Sequence, residues 1–188
     1  MENAPSGVRV ALILGGARSG KSRYGLGLAA RLPSPRLFVA TCEPRDPEME
    51  ARINAHQRER GSDWVTRETP LELVETLAGA QHGYGVILVD CLSMWVSNLL
   101  LQAGAAQGSI QTAGERLIET LAKTETPTIL ISNEVGWGIV PDNPLAREFR
   151  DQAGWLHQRL AQMADLVVLV VAGVPLLVKA GEVFPGKP

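Results

Sequence analysis

Val8-Arg9-Val10-Ala11-Leu12-Ile13-Leu14 followed by Gly15-Gly16-Ala17-Arg18-Ser19-Gly20-Lys21-Ser22 is the stretch on which the fold turns. The first half is an apolar run without regular polar alternation, the pattern of a strand covered on both faces. The second half fits G-x-x-x-x-G-K-[ST] and is followed by a helix-compatible segment, so strand, glycine turn and helix come in the order that a phosphate-binding loop requires. Glycines let successive backbone N–H groups curl round a phosphate, and the helix that follows aims its positive end at the same anion. In that setting Lys21 neutralises the β- and γ-phosphates and the Ser22 hydroxyl is placed to ligate Mg²⁺.

Outward from this stretch, further apolar runs occur at Leu37–Thr41, Val86–Asp90, Thr128–Ser132 and Leu166–Val171, with a possible last strand at Leu176–Lys179. Amphipathic segments separate them, which predicts an α/β fold with a mostly parallel sheet flanked by helices. Thr69-Pro70-Leu71-Glu72 has the form of a capping box and predicts a helix to about Ala80. Asn143-Pro144 predicts the start of the longest helix, with Leu145, Phe149, Leu156, Leu160 and Met163 on its buried face. Asp46-Pro47 predicts a helix through Arg60, and Ser109 one through Lys123. The 188 residues fit one domain, spanning residues 1–188.

Composition narrows the function classes. Eighteen Lys and Arg against twenty Asp and Glu give a formal charge of −2, so no global basic field recruits nucleic acid, and phosphate binding must be local. No segment reaches the roughly 20 uninterrupted apolar residues of a membrane span. The N-terminus lacks the pattern of a secretion signal, and two cysteines, Cys42 and Cys91, suit a reduced, cytoplasmic chain.

Other residues are open to more than one reading. Asp90 ends an apolar run and either reaches a loop-bound metal, directly or through water, or is a plain strand-end acid. Cys91 follows it where many ATP-hydrolysing motors carry a second carboxylate, which argues against mechanical ATPase work. His56 lies four residues from both Arg52 and Arg60. On a helix these share a face, either a neutral imidazole beside phosphate-holding cations or an ordinary solvated basic surface. Asn133–Pro141, with Trp137 between two glycines, follows a strand where ligands bind in open parallel sheets. It is either a ligand loop or a local structure in which Glu134 caps amides and Trp137 packs. His82 reads as surface, and His157 as helix surface or interface.

Taken together, the phosphate loop through Arg23, Val39-Ala40-Thr41, Glu48-Met49-Glu50-Ala51-Arg52-Ile53 leading to His56, Trp64 with Glu68, Asp90 with Trp95–Leu100, Asn133–Pro141 and Leu145–Gly154 resemble the bifunctional adenosylcobinamide kinase/adenosylcobinamide-phosphate guanylyltransferases of cobalamin biosynthesis. The resemblance covers nearly the whole chain and implies a P-loop NTPase-like (RecA-like) sheet. It implies two reactions: ATP or GTP phosphorylates the aminopropanol hydroxyl of adenosylcobinamide, then a histidine takes GMP from GTP and passes it to adenosylcobinamide phosphate, giving adenosylcobinamide-GDP. The guanylylated histidine falls on His56. Nucleotide contacts fall on Gly15, Gly16, Ala17, Arg18, Ser19, Gly20, Lys21, Ser22, Ala40, Thr41, Cys42, Gln57, Arg58, Glu59, Arg60, Glu68 and Asp90. The metal ligands fall on Ser22 and Asp90, with Mg²⁺ as the cofactor, and relatives form trimers. His157 stands where relatives are expected to carry Asn and receives no role. A monofunctional P-loop small-molecule kinase is the alternative among enzymes, and a nucleotide-binding regulator the alternative of another class.

Overall fold

The computed structural model describes residues 7–42, 63–102 and 109–180. In chain order these form β1 (Val10–Gly15), α1 (Lys21–Ala29), β2 (Arg36–Ala40), β3 (Trp64–Glu68), α2 (Leu73–Gly79), β4 (Val86–Asp90), α3 (Leu92–Gln102), α4 (Ser109–Ala122), β5 (Thr128–Asn133), α5 (Pro144–Met163), β6 (Leu166–Val171) and β7 (Val174–Ala180). The strands form one seven-stranded sheet in the order β3-β2-β4-β5-β1-β6-β7. All neighbours are parallel except β6 and β7, which pair antiparallel.

Continuous apolar runs serve this sheet because both of its faces are covered. Val10 and Leu12 of β1, with Leu37, Val39, Ile87, Val89 and Leu130, pack under α2, α3, α4 and α5. The alternate residues Ala11, Ile13, Leu88, Ile129 and Ile131 face α1, with Tyr24, Leu26 and Leu28 against them. Leu12, Ile13, Leu88 and Leu130 are fully buried, and burying such a side chain contributes about 1.5–3 kcal/mol.

The start of α5 follows the sequence reading. Asn143 Oδ1 accepts the N–H groups of Leu145 (2.8 Å) and Ala146 (3.2 Å), and Pro144 occupies the first turn, where its missing N–H costs nothing. Of the expected buried face, Leu156 and Leu160 are buried and Phe149 and Met163 pack half-buried against the core, whereas Leu145 in the first turn is exposed; Ala153 and His157 are buried as well. His157 is therefore core, not surface.

One other expectation needs correction, and two elements are present that the sequence patterning does not signal. The capping box at Thr69 does not form, and α2 begins at Leu73, without a side-chain cap. Thr69 is still tied to the sheet, its N–H donating to Ala40 O at 2.7 Å. The carbonyls of Pro70 and Leu71 are taken by Asn98 Nδ2 (3.1 Å) and Trp95 Nε1 (2.9 Å) of α3. Tertiary bonds thus hold the segment out of the helix. β3 is a strand that its mixed sequence, Trp-Val-Thr-Arg-Glu, did not announce: as an edge strand it is mostly exposed and needs no apolar run. α3 was also unannounced, being apolar nearly all round and so lacking an amphipathic signature. The expected helix at 46–60, the loop at 103–108 and the tail at 181–188 lie outside the described residues.

Candidate active site

Parallel pairing aligns the carboxyl ends of the strands. Glu68 pairs with Ala40, Ala40 with Asp90, Asp90 with Ile131 and Gly15 with Asn133. Glu68, Ala40, Asp90 and Gly15, far apart in sequence, therefore share one edge of the sheet, where open α/β folds bind ligands.

The loop from Gly15 to Ser22 sits at the centre of that edge. Gly15 admits no side chain: a Cβ there would lie 2.5 Å from Ser19 Oγ and 2.6 Å from Val170 O. Gly20 has φ +95°, left-handed backbone that favours glycine, and initiates α1. The turn is closed by Ser19 N–H donating to Gly16 O at 3.2 Å, and Lys21 Nζ donates to the same carbonyl at 3.1 Å. Lys21 is buried at 8% exposure. Desolvation lowers its pKa, while the negative charge of Asp90, and secondarily Cys91, works in the opposite direction. Ser19 Oγ is buried with no hydrogen-bond partner among the described residues. An orphaned hydroxyl inside a glycine loop beside a buried ammonium is what a phosphate oxygen would satisfy. Ser22, half-buried, opens α1.

Asp90 ends β4, and its charge is felt by Lys21 across the edge. Burial pushes the Cys91 thiol up to about 11, so it is a packed thiol rather than a nucleophile. Thr41 is fully buried; its hydroxyl donates to Cys91 O (2.7 Å) and accepts the Cys91 N–H (2.9 Å). Asn98 Nδ2 donates to Thr41 O at 2.8 Å. The Thr41 side chain is thereby committed to joining β2 and β4. Cys42 is half-buried, and neither cysteine is in a disulfide. Glu68 is exposed at the end of the edge strand.

The 133–141 segment leaves β5 next to the loop. Glu134 N–H donates to Gly15 O at 3.0 Å, and Glu134 Oε1 accepts the Gly136 N–H at 2.9 Å, so the amide-capping half of the sequence reading holds. Trp137 does not pack: it is 78% exposed, with Ile139 at 96% and Val140 at 59%. Behind Glu134, His157 Nδ1 lies 3.9 Å from its Oε2, and His157 Nε2 is 2.7 Å from Ser132 Oγ. His157 follows Leu156 by one position, which in sequence reads as helix surface or interface. The spacing 153, 156, 157, 160 is nonetheless a helical stripe that includes it.

Ser22 at the start of α1 and Asp90 at the end of β4 are oxygen donors of the kind Mg²⁺ takes alongside water and phosphate. Among the described residues no group of three or more His, Cys, Asp or Glu could hold a metal without a nucleotide. His56 and Gln57–Arg60 lie outside the described residues. No helix among those described is long and apolar enough to cross a membrane.

Comparison with known proteins gives consistent matches. The family model described as cobinamide kinase / cobinamide phosphate guanyltransferase matches residues 11–178. The bifunctional adenosylcobalamin biosynthesis protein CobP of Pseudomonas aeruginosa is 43% identical over 170 residues, covering 89% of this chain and 96% of that protein. The bifunctional adenosylcobalamin biosynthesis protein CobU of Salmonella typhimurium is 38% identical over 179 residues, covering 89% and 98%. Among solved structures, the type III secretion ATPase EscN of enteropathogenic E. coli aligns with a TM-score of 0.53 at 12% identity, covering 88% of this chain and 43% of that one; this supports the fold.

Proposed function

The chain belongs to the cobinamide kinase / cobinamide phosphate guanyltransferase family, and from that premise we propose that this enzyme carries out both reactions on one domain. It phosphorylates the aminopropanol hydroxyl of adenosylcobinamide with ATP or GTP, then transfers GMP from GTP through His56 to give adenosylcobinamide-GDP. The observation that carries the reading is the loop itself. A buried Lys21, an orphaned Ser19 hydroxyl and Asp90 across the strand ends make a phosphate site, and no second carboxylate follows Asp90.

In this reading the backbone of residues 15–22 holds the β- and γ-phosphates, and Lys21 offsets the charge that develops as the phosphoryl group moves. Ser22 and Asp90 would hold Mg²⁺, which would supply positive charge to offset that of the phosphates. The backbone at Ala40–Cys42 lines the site, and Glu68 is placed to accept from a guanine ring's N–H groups. Gln57, Arg58, Glu59 and Arg60 complete the GTP contacts beside His56. A histidine intermediate divides nucleotidyl transfer into two displacements, each with a good leaving group. The solvent-facing apolar residues Val174, Leu176, Leu177 and Val178 of edge strand β7 support the homo-oligomer that the resemblance implies.

The test is incubation with α-labelled GTP. The wild-type protein is expected to acquire acid-labile, base-stable label, and His56→Ala to acquire none while retaining adenosylcobinamide phosphorylation. Unlabelled wild-type protein that still phosphorylates would mark a monofunctional kinase. Loss of both activities in a folded His56→Ala protein would assign His56 to shared binding instead.

A further inference from the structure

Glu134 has no part in the chemistry described so far, yet its place is specific. β5 lies between β4, which ends in Asp90, and β1, which ends in Gly15, so the residue leaving β5 emerges between the acidic strand end and the phosphate loop. The Glu134 N–H is bonded to Gly15 O at 3.0 Å, which fixes its backbone to the loop's first residue. Its carboxylate accepts the Gly136 N–H at 2.9 Å, and the His157 ring stands beside it, Nδ1 at 3.9 Å from Oε2. The side chain keeps 23% of its surface open, while that of His157 keeps 8%.

The histidine is set up as a holder. The neighbouring carboxylate favours the tautomer with its proton on His157 Nδ1, in which Nε2 accepts the Ser132 hydroxyl at 2.7 Å. Glu134 thus combines a fixed carboxylate, a buried ring that orients it and an open face at the strand ends, the arrangement of a base oriented by another group.

We infer that Glu134 is the general base of the phosphorylation step and that His157 is its positioning residue. The inference rests on the proposed function and deepens it. The alcohol oxygen of the substrate attacks the γ-phosphorus, and a new O–P bond forms. The bond from the γ-phosphorus to the bridging oxygen breaks, its electron pair leaving on the nucleoside diphosphate. The alcohol proton passes to the Glu134 carboxylate and from there to water. Asp90 is less suited to this task, because its charge already acts on Lys21 of the phosphate loop. In guanylyl transfer the acceptor is already a phosphate anion, so no base is needed there. Glu134 therefore separates the two reactions from the kinase side, as His56 does from the other.

The experiment uses the full-length protein with adenosylcobinamide and, separately, with supplied adenosylcobinamide phosphate. Glu134→Gln preserves shape and the acceptor for Gly136 N–H. Its kcat for phosphorylation is expected to fall about 100-fold or more, with the nucleotide KM within a few-fold of wild type, while GMP transfer to adenosylcobinamide phosphate persists. Glu134→Asp, in case the first variant folds poorly, withdraws the carboxylate by one methylene and is expected to fall between them in kcat. His157→Phe, which fills the space without a donor, is expected to lower kcat alone, and His157→Gln, which restores an N–H, to recover part of it. Wild-type kcat in Glu134→Gln or Glu134→Asp, or equal loss of both reactions with a raised KM, overturns the base. Wild-type kcat in His157→Phe overturns the positioning role. If wild-type protein phosphorylates no adenosylcobinamide, the functional reading itself fails, a result distinct from an active wild type matched by its Glu134 variants.

Discussion

Two carboxylates end neighbouring parallel strands and are placed in opposite ways. Asp90, at the end of β4, faces an ammonium that belongs to the phosphate loop, whereas Glu134, just beyond β5, faces an imidazole rooted in the core of α5. Burial lowers the pKa of both partners, and in both cases the carboxylate opposes that shift. The difference lies in where each starts. Histidine begins near neutrality, so lowering leaves the ring beside Glu134 uncharged at pH 7. Lysine begins at about 10.5, and arriving phosphate would favour its charged form further. The Asp90–Lys21 side of the site is built to balance charge and the Glu134–His157 side to hold a geometry.

Lys21→Ala tests the charged side most severely. Phosphoryl transfer relies on charge neutralisation, and loss of one preorganised donor costs on the order of 10²–10³ in rate. Phosphorylation of adenosylcobinamide should fall at least that far, whereas His157→Phe should cost less because it acts through Glu134. If initial-rate kinetics rank the two variants the other way, the division between charge and geometry is wrong.

Gly15→Ala addresses the point that the two sides share, since Gly15 begins the loop and its carbonyl receives the Glu134 N–H. The added Cβ would meet Val170 O at 2.6 Å, and backbone cannot turn aside as a side chain can. Overpacking of this kind costs about 1–3 kcal/mol. Thermal unfolding should show a lower Tm, and nucleotide titration weaker binding. A variant with wild-type Tm would mean that β1 and β6 can part at this point without penalty.

The charged side was legible because its parts lie close together in the chain. Residues 15–22 carry their geometry in glycine spacing, and Val86–Asp90 announced itself as an apolar run closed by an acid, with the bounds the structure gives. The other side was not, because it is assembled from β5, the segment after it and α5, and no local pattern links Ser132, Glu134 and His157. The same distinction explains β3 and the failed cap at Thr69. An edge strand takes its identity from its neighbour, and the Pro70 and Leu71 carbonyls are claimed by α3 residues more than twenty positions away. β7 was read as a strand but not as antiparallel, for direction is a property of the pairing.

The smallest effect sharpens the comparison through pH. His157 has a folded pKa below its ordinary 6.5, first through desolvation, with Glu134 opposing. Below about pH 6.5 the unfolded chain therefore binds a proton that the folded chain resists, so stability falls as pH drops from there toward the folded value, and is unaffected above. The slope from this one group cannot exceed about 1.4 kcal/mol per pH unit. Urea unfolding of wild type and His157→Gln between pH 7.5 and 5 isolates it. The variant should be less stable at pH 7.5, having lost the ring's contact with Ser132, yet its stability should decline less steeply on acidification. Parallel slopes for wild type and His157→Gln would mean that the imidazole charges in the folded protein as readily as in water, and Glu134 would then face a full cation just as Asp90 does.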